Sequence, residues 1–533
     1  MQTGIQEMES THRPASRAPR ITSTSPATGE VLGQVPAWSY EDVMIAVERA
    51  RAAQATWART SFDERKELLL RVADLIYERA DEIADLIYKE NGKPRAEALI
   101  AEVTPSVYAV QHVAKHAERM LRDEPIHMFL WRLMGKRSYI EYKPLGVVGI
   151  ISPWNYPWGI PVGQIATALM AGNTVVMKPS SQAALVGDKI RSVYEAAGLP
   201  HDVFTVVQGP GRIGEALIEA QVDHLIFTGS VEIGRHVNQL AAKHFIPTTL
   251  ELGGKDPMIV LEDADLDVAA SGAIWGAFAN SGQTCASIER VYAVEGVYDR
   301  FVEKVVEKTR RLRQGPDTGF NVDVGAMTNL AQLEIVEQHV ADARDKGARV
   351  LAGGKRRADL PGFFYEPTVL VDVDHSMDVM TEETFGPVLP IQKVKDEKEA
   401  VRLANDSRFG LTASVWTLDA DRGRRVASQL VTGTVMLNDS LFTHGAAETP
   451  WGGVKESGLG RTHGELGLKA LVRPLHVNVD AFPRMKKMWW YPYDEKLYRA
   501  MKNFTATFTR MSLSGKSGNL FHLARQFSPK EKL

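Results

Sequence analysis

The only cysteine in this chain, Cys285, lies in a small polar turn, Ser281-Gly282-Gln283-Thr284, behind an apolar, Ala-rich segment. A carboxylate, Glu251, stands 34 positions earlier on an apolar stretch that ends abruptly at Gly253-Gly254. A thiol and a carboxylate presented in this way are the groups needed for nucleophilic catalysis with a general base. Each also has an ordinary explanation, the thiol as a small buried hydrophobe and the carboxylate as part of a solvated face. Asn155 sits between prolines in PWNYPW, an irregular loop after the compact apolar run PLGVVGIIS. Open α/β sheets bind ligands at such strand ends, although the ordinary role of such an Asn is that of a turn residue. Lys178 closes the apolar run of NTVVMKPS, where a charge is either a solvated cap or a ligand group. Gly209, Gly211 and Gly214 spell GxGxxG between a strand and a helix, by letter a dinucleotide fingerprint. Pro210 stiffens that loop, and no acidic residue ends a strand about 20 positions on, as the fingerprint requires.

LELGGKDP around Glu251 and FANSGQTC around Cys285, in this order and spacing, resemble the paired glutamate and cysteine signatures of the NAD(P)-dependent aldehyde dehydrogenase superfamily. The likeness runs over roughly residues 21 to 480 and takes in PWNYPW, NTVVMKPS, EETFGPVLPI and WGGVKESGLGRTHGELG. It implies Cys285 as nucleophile, Glu251 as general base and the Asn155 amide as part of an oxyanion hole. It implies NAD or NADP as cofactor, with Lys178 on the adenosine ribose, and Glu383 and Phe385 at the nicotinamide ribose and ring. In HLIFTGSVEIGR an apolar strand runs into Gly229-Ser230 and then a helix, whose free N–H groups suit a pyrophosphate. Trp154 and Leu252 are counted with this cofactor set. Four positions depart from or qualify the pattern. Ser287 replaces the usual Ala, Gly, Asn or Cys of the cysteine signature. Ser181 stands where many NAD-preferring members carry a ribose-chelating Glu, which leaves NADP as open as NAD. Thr462 replaces a Glu sometimes assigned to a proton relay, so that role is unsupported. The His463-Gly464 pair is similar to the fatty-aldehyde branch.

The implied product is a carboxylic acid, reached through a thiohemiacetal and a thioester on Cys285, from an apolar aliphatic or aromatic aldehyde. A semialdehyde dehydrogenase of the succinic-semialdehyde type is the alternative and would need an Arg in the substrate funnel. A CoA-acylating enzyme generally lacks the general-base Glu, and a non-catalytic fold relative fits poorly with intact Cys285, Glu251, Asn155 and Lys178. The nicotinamide carries the redox step, so no metal is called for.

The fold implied is α/β: a Rossmann-type cofactor domain (21–125 and 145–250), a catalytic domain (251–440) and a small bridging sheet (126–144 and 471–480). That sheet would pair subunits into homodimers or homotetramers, with 441–470 returning to the cofactor side. Local signals support helices where the fold needs them. Ser39 begins one whose stripe is Val43, Val47, Ala50, Ala53 and Trp57. Ser61 and Glu64 have capping-box spacing, opening one long helix through Ile87 that Asn91-Gly92 stops. These helices read as scaffold only.

A net charge of -3 argues against nucleic acid as partner, and a single cysteine fits a reducing cytoplasm. No run approaches 18 apolar residues, the length of a membrane span. Residues 1–20 lack an apolar signal core and read as a disordered lead-in. The tail, 481–533, differs: from 480 onward eleven Lys/Arg stand against four Asp/Glu, beginning FPRMKKMWWYPY. Leu497, Met501, Phe504 and Phe508 follow on one helical stripe. This reads as a peripheral membrane-surface or partner-binding helix, or as one packed on the body, and favours long or bulky apolar aldehydes.

Overall fold

Short runs of Val, Ile, Leu and Met, apolar on both faces, pair as the interior strands of two parallel sheets. The computed structural model describes residues 19–487 and 489–506. All but the end of the expected lead-in, and the far part of the tail with Phe508, lie outside the described residues. The described residues fall into two units, the second made of Asp123–Glu141 and the chain from His476 onward.

In the first unit, a six-stranded sheet has the order Gly458–Leu459, Thr248–Glu251, His224–Thr228, Val147–Ile151, Thr174–Lys178, Phe204–Val206. All its pairs are parallel except the edge strand Gly458–Leu459. The chain starts in the middle at Val147–Ile151, works outward to Phe204–Val206, then returns to the other side. Val147–Ile151 and His224–Thr228 therefore flank a topological switch point, the place where such sheets hold ligands beyond their carboxyl ends. A seven-stranded sheet has the order Arg349–Ala352, Thr368–Val371, Val388–Val394, Ile288–Val294, Asp256–Val260, Thr412–Trp416, Thr434–Leu437. Only its first pair is antiparallel.

Capping fixes the helices that cover these sheets. Ser39 and Asp42, and Ser61 and Glu64, each form reciprocal capping boxes. The single long helix expected from Ser61 is instead two, Phe62–Glu78 and Ala80–Asn91, broken at Arg79 (φ -106°, ψ 17°). The break re-aims the chain. The first helix packs on Thr104–Met120, whereas the second packs on Ala184–Ala196 and buries Glu90 and Asn91 at its end. Gly92 (φ +102°) stops it. The scaffold reading is also too narrow, because Asn91 reaches the loop after Val147–Ile151, donating to the Trp154 carbonyl at 3.0 Å.

The second unit holds residues of the three-stranded sheet Val472–Asp480, Lys136–Pro144, Glu124–Ile126 and the short helix Phe129–Leu133. Trp131 meets Trp489 edge-on at 5.9 Å. Asp480 takes both Lys136 and Lys487, the latter at 2.7 Å. In the helix Glu495–Ala506 the buried residue is Ala500, with Leu497 and Phe504 half-buried and Met501 exposed. The covered face is thus turned from the expected stripe towards Ala500. Among the described residues no helix is long and apolar enough to cross a membrane.

One buried ion pair ties the seven-stranded sheet to the turn preceding Val388. Lys255 and Glu289 meet at 2.6 Å with almost no exposure. Glu289 also accepts from the N–H groups of Thr384 and Phe385, each at 2.8 Å. Lys255→Met strands that carboxylate in the interior, and denaturant unfolding should show a loss of about 3–5 kcal/mol. A loss below about 1 kcal/mol would mean the pair is not acting as a buried charge pair.

Candidate active site

The helix Leu266–Phe278 ends in a turn built from three successive left-handed residues: Asn280 (φ 52°), Ser281 (φ 55°) and Gly282 (φ 74°). For residues with a Cβ this conformation costs roughly 1–2 kcal/mol each, so the turn needs outside restraint. It has it. Ser281 Oγ donates to the Gly325 carbonyl at 2.9 Å, and the Asn280 amide donates to the carbonyls of Asn155 (2.8 Å) and Gln283 (3.1 Å). Gln283 accepts from the Thr328 N–H at 2.9 Å. Gly282 must be glycine twice over: φ is positive, and a Cβ would fall 2.1 Å from the Gly386 carbonyl oxygen. Cys285 emerges from this turn half-buried, its accessible part opening on a cavity.

Glu251 ends its strand beside that turn. Three residues on, the chain packs so closely that a Cβ on Gly254 would lie 2.4 Å from the Cys285 carbonyl oxygen. Glu251 is buried, and neither carboxyl oxygen has a hydrogen-bond partner. Burial pushes its pKa well above the ordinary carboxylate range, against the charge of Arg461 and the nearby Thr462 and Trp451 side chains. Burial likewise raises Asp256 and Glu383 to about 8. The Cys285 thiol is pushed up first by burial, then by Asp256, Glu383 and Glu251, while the Ala286 N–H opposes the rise.

Asn155 lies beyond the end of Val147–Ile151, and its side-chain amide donates to the Gln283 carbonyl at 3.0 Å, two residues from Cys285. An amide nitrogen has two N–H groups, so the second is available to an oxyanion. Cys285, Glu251 and Asn155 are therefore brought to one place, at the carboxyl edge of one sheet and the amino edge of the other.

The cofactor candidates divide. Ser230 caps the helix Val231–Lys243, and Ser230, Val231, Arg235, Glu382 and Glu383 line one groove of about 360 Å³. Gly229, just before it, donates its N–H to the Glu251 carbonyl at 3.1 Å. Glu383 accepts from the Gly254 N–H at 3.0 Å, and the Phe385 ring meets Trp154 edge-on at 5.4 Å. A helix start, a carboxylate for ribose hydroxyls and an aromatic pair suit a dinucleotide. Lys178, buried at its strand end, is brought down to about 8 by burial alone. Two candidates sit differently. The Leu252 side chain packs over Gly234, where a Cβ would lie 2.3 Å from it. Ser181 donates to the Gly209 carbonyl at 2.9 Å and lines a different cleft, of about 280 Å³, with Thr22, Glu90 and Thr328.

In front of Cys285 lies a cavity of about 1260 Å³. Ile100, Ile160, Ile274, Trp275, Phe278 and Leu441 line it, and Tyr156, Thr284 and Trp451 surround its inner end with Cys285. The Tyr156 hydroxyl and Thr284 Oγ1 lie 2.7 Å apart. His444 packs edge-on against Trp451 (4.9 Å) and His463 (5.1 Å), and burial takes the two imidazoles down to about 4 and about 3, holding them neutral. Of the lining cations, Lys308 and Arg311, Arg311 is exposed and ion-paired with Glu307. Sequence reading missed Tyr156, Trp451, Lys93, Glu97 and Glu102. Tyr156 stood inside PWNYPW and Trp451 opens WGGVKESGLGRTHGELG, so both could have been found; Lys93, Glu97 and Glu102 carry no such signal, because the loop and turn they hold lie about 60 to 180 residues away.

A family model described as the aldehyde dehydrogenase family matches residues 13–477. The 4,4'-diapolycopene aldehyde oxidase of Methylomonas sp is 39% identical over 484 residues, 91% of this chain and 90% of that protein. A putative succinate-semialdehyde dehydrogenase (NADP(+)) 2 of Mycobacterium ulcerans (strain Agy99) is 40% identical over 442 residues, 83% of this chain and 85% of that one. Among solved structures, lactaldehyde dehydrogenase from Escherichia coli superposes with a TM-score of 0.84 at 35% identity, over 87% of this chain and 97% of that chain. The NAD+ complex of an aldehyde dehydrogenase from Bacillus cereus gives 0.83 at 34% identity, over 87% and 93%.

Both groups at the reacting centre, thiol and carboxyl, have raised pKa values, and each must lose its proton to act. The rate of Cys285 alkylation by iodoacetamide in the cofactor-free protein should therefore rise steadily with pH above neutrality. A rate that is already level at pH 7 would contradict the acidic, buried setting of the thiol.

Proposed function

The chain belongs to the aldehyde dehydrogenase family and is an NAD(P)-dependent oxidoreductase, and from that premise we propose that it oxidises long or bulky apolar aldehydes to carboxylic acids on Cys285. The observation that carries the substrate class is the cavity. At about 1260 Å³ it exceeds the ~300–1,000 Å³ usual for small-molecule sites. Its walls are largely aliphatic and aromatic, and the reactive thiol lies at its inner end. The likeness to a protein named for 4,4'-diapolycopene aldehyde, a hydrocarbon-chain aldehyde, points the same way. The likeness to succinate-semialdehyde dehydrogenases supports the alternative. A carboxylated substrate would need a cation near the thiol; of the two that line the cavity, Arg311 is exposed and already paired with Glu307, which leaves half-buried Lys308 to serve that reading.

The roles follow from the geometry. The Cys285 thiolate attacks the aldehyde carbon, and the oxyanion of the thiohemiacetal takes hydrogen bonds from the Asn155 amide and the Cys285 N–H. Bound NAD(P)+ supplies the hydride acceptor. Lys178, Gly229, Ser230 and Glu383 would hold the dinucleotide, with the Trp154–Phe385 ring pair beside it. Loss of hydride from the thiohemiacetal leaves a thioester on Cys285. Glu251, neither oxygen in a well-formed hydrogen bond and with the Thr462 and Trp451 side chains only nearby, takes a proton from water as that water attacks the thioester. The acid departs and the thiolate returns. A carboxylate with a raised pKa is a better base near neutrality than an ordinary one. Ser181 supplies no carboxylate to repel a 2'-phosphate, so NADP is served as well as NAD.

The three-stranded sheet serves pairing into dimers or tetramers, and the protein acts in the cytoplasm, touching membranes through its tail. Exposed Trp489, Trp490, Tyr491 and Tyr493 near exposed Lys486 support that contact, since aromatic rings and cations favour the lipid interface.

Absorbance of reduced nicotinamide, followed with NAD and NADP over a panel of aldehydes, tests the function. Long aliphatic and bulky aromatic aldehydes should give higher kcat/KM than succinic semialdehyde, with no signal in Cys285→Ala; a preference for succinic semialdehyde would overturn the substrate class. Deleting residues 484–533 should lower vesicle binding and the preference for long chains. If both are unchanged, the tail has neither role.

A further inference from the structure

The segment that walls one side of the cavity also grips both halves of the site. A short helix, Arg95–Ala98, passes into a π-helix, Leu99–Val103, and then into Thr104–Met120. Wide π turns inside helices occur frequently at functional sites. Around this one, two carboxylates reach inward. Glu102, fully buried, accepts from the N–H groups of Trp158 (2.8 Å) and Gly159 (3.0 Å), and from Lys93 Nζ (2.6 Å). Lys93 Nζ also donates to the Asn155 carbonyl at 2.8 Å. These contacts fix the loop that carries Asn155. Glu97 accepts from the backbone N–H of Asn280, the first left-handed residue of the cysteine turn. Asn280 closes the circuit by donating its side-chain amide to the same Asn155 carbonyl at 2.8 Å. Glu97, Ile100, Ala101 and Thr104 meanwhile line the cavity.

We propose that Glu97 is a positioning residue for the oxyanion site, holding the Asn280–Gly282 turn, and with it the Cys285 N–H, in register with the Asn155 amide from the wall of the substrate cavity. The inference rests on the reading of Cys285 and Asn155 given above and adds the group that sets their relative placement. Three consecutive left-handed residues relax unless something holds them, and a carboxylate acceptor makes a stronger hydrogen bond to a backbone N–H than a neutral one. The other restraints on the turn that are described here use neutral acceptors. Burial raises Glu97 to about 7; Lys93 and the Asn280 N–H oppose the rise and Glu102 adds to it. Tyr156, the remaining titratable neighbour, stays a neutral phenol, its own pKa raised by burial and by Glu97. The grip is therefore strongest above neutrality and weakens as pH falls through that range.

Full-length Glu97→Ala and Glu97→Gln, compared by steady-state kinetics and by iodoacetamide alkylation of Cys285, test the assignment. Glu97→Ala should lower kcat roughly 10–100-fold with KM within about threefold, the scale of a small misplacement of reacting groups. Glu97→Gln, which keeps a weaker, neutral acceptor oxygen, should recover part of that rate and lose the component of the pH profile near neutrality. Alkylation should slow in Glu97→Ala and not in Glu97→Gln. Should Glu97→Ala fail to fold, Glu97→Asp, with its carboxylate drawn back by one methylene, should show the same split. Wild-type kcat in the truncated variant, a loss confined to KM, or equal damage from Gln and Ala would overturn it. If the wild type oxidises no aldehyde, the function falls, and the alkylation comparison still decides whether Glu97 sets the turn.

Discussion

The link from Glu251 to Asp256 carries the chain from the carboxyl end of a strand in one sheet to the amino end of a strand in the other. Because the interior strands of each sheet are parallel, the whole carboxyl edge of the first meets the amino edge of the second here. The loops bearing Asn155, Lys178 and Ser230 leave the first sheet at this junction. The turns bearing Cys285 and Glu383 enter the second. Two glycines make the junction tight enough to work: a Cβ on Gly253 would fall 2.3 Å from the Glu383 carboxylate, and one on Gly254 2.4 Å from the Cys285 carbonyl. Any side chain at either position would push the thiol, the general base and the proposed ribose ligand apart.

That closeness has an electrostatic consequence. Glu251, Asp256 and Glu383 surround one thiol in an interior from which water is largely excluded, and all of these groups are pushed towards their neutral forms. Under the proposed mechanism, a carboxyl group that resists ionisation is for that reason an effective base once ionised. Restraint of geometry is handled separately, by hydrogen bonds that converge on the Asn155 carbonyl from Lys93 and Asn280. Charge and placement are thus controlled by different residues, and substitutions can separate them.

Much of this was legible in the sequence because it is local. Capping at Ser39 and Ser61 needs only three residues of spacing, and the buried strands around Val147, Thr174 and His224 announce themselves as short apolar runs. Cys285 and Glu251 stood out as a thiol on a tight turn and a carboxylate at a strand end, and the family resemblance joined them. What was not legible depends on distant partners. Lys93 and Glu102 look like solvated charges until the fold brings Asn155 and Trp158 onto them. No Gly or Pro in the segment announces the break at Arg79, and in the tail helix small Ala500 is covered while larger Met501 is exposed. Ser181 was placed with the cofactor by its position in a motif, and only the structure shows that its hydroxyl donates to the Gly209 carbonyl.

The central claim is that Cys285 carries the acyl group and Glu251 releases it. Intact-mass measurement of Glu251→Gln after mixing with NAD(P)+ and a long apolar aldehyde tests it most directly. The account predicts one equivalent of reduced nicotinamide per active site and an acyl adduct that maps to Cys285 and persists. Full multiple turnover without an adduct, or an adduct on any other residue, would contradict it.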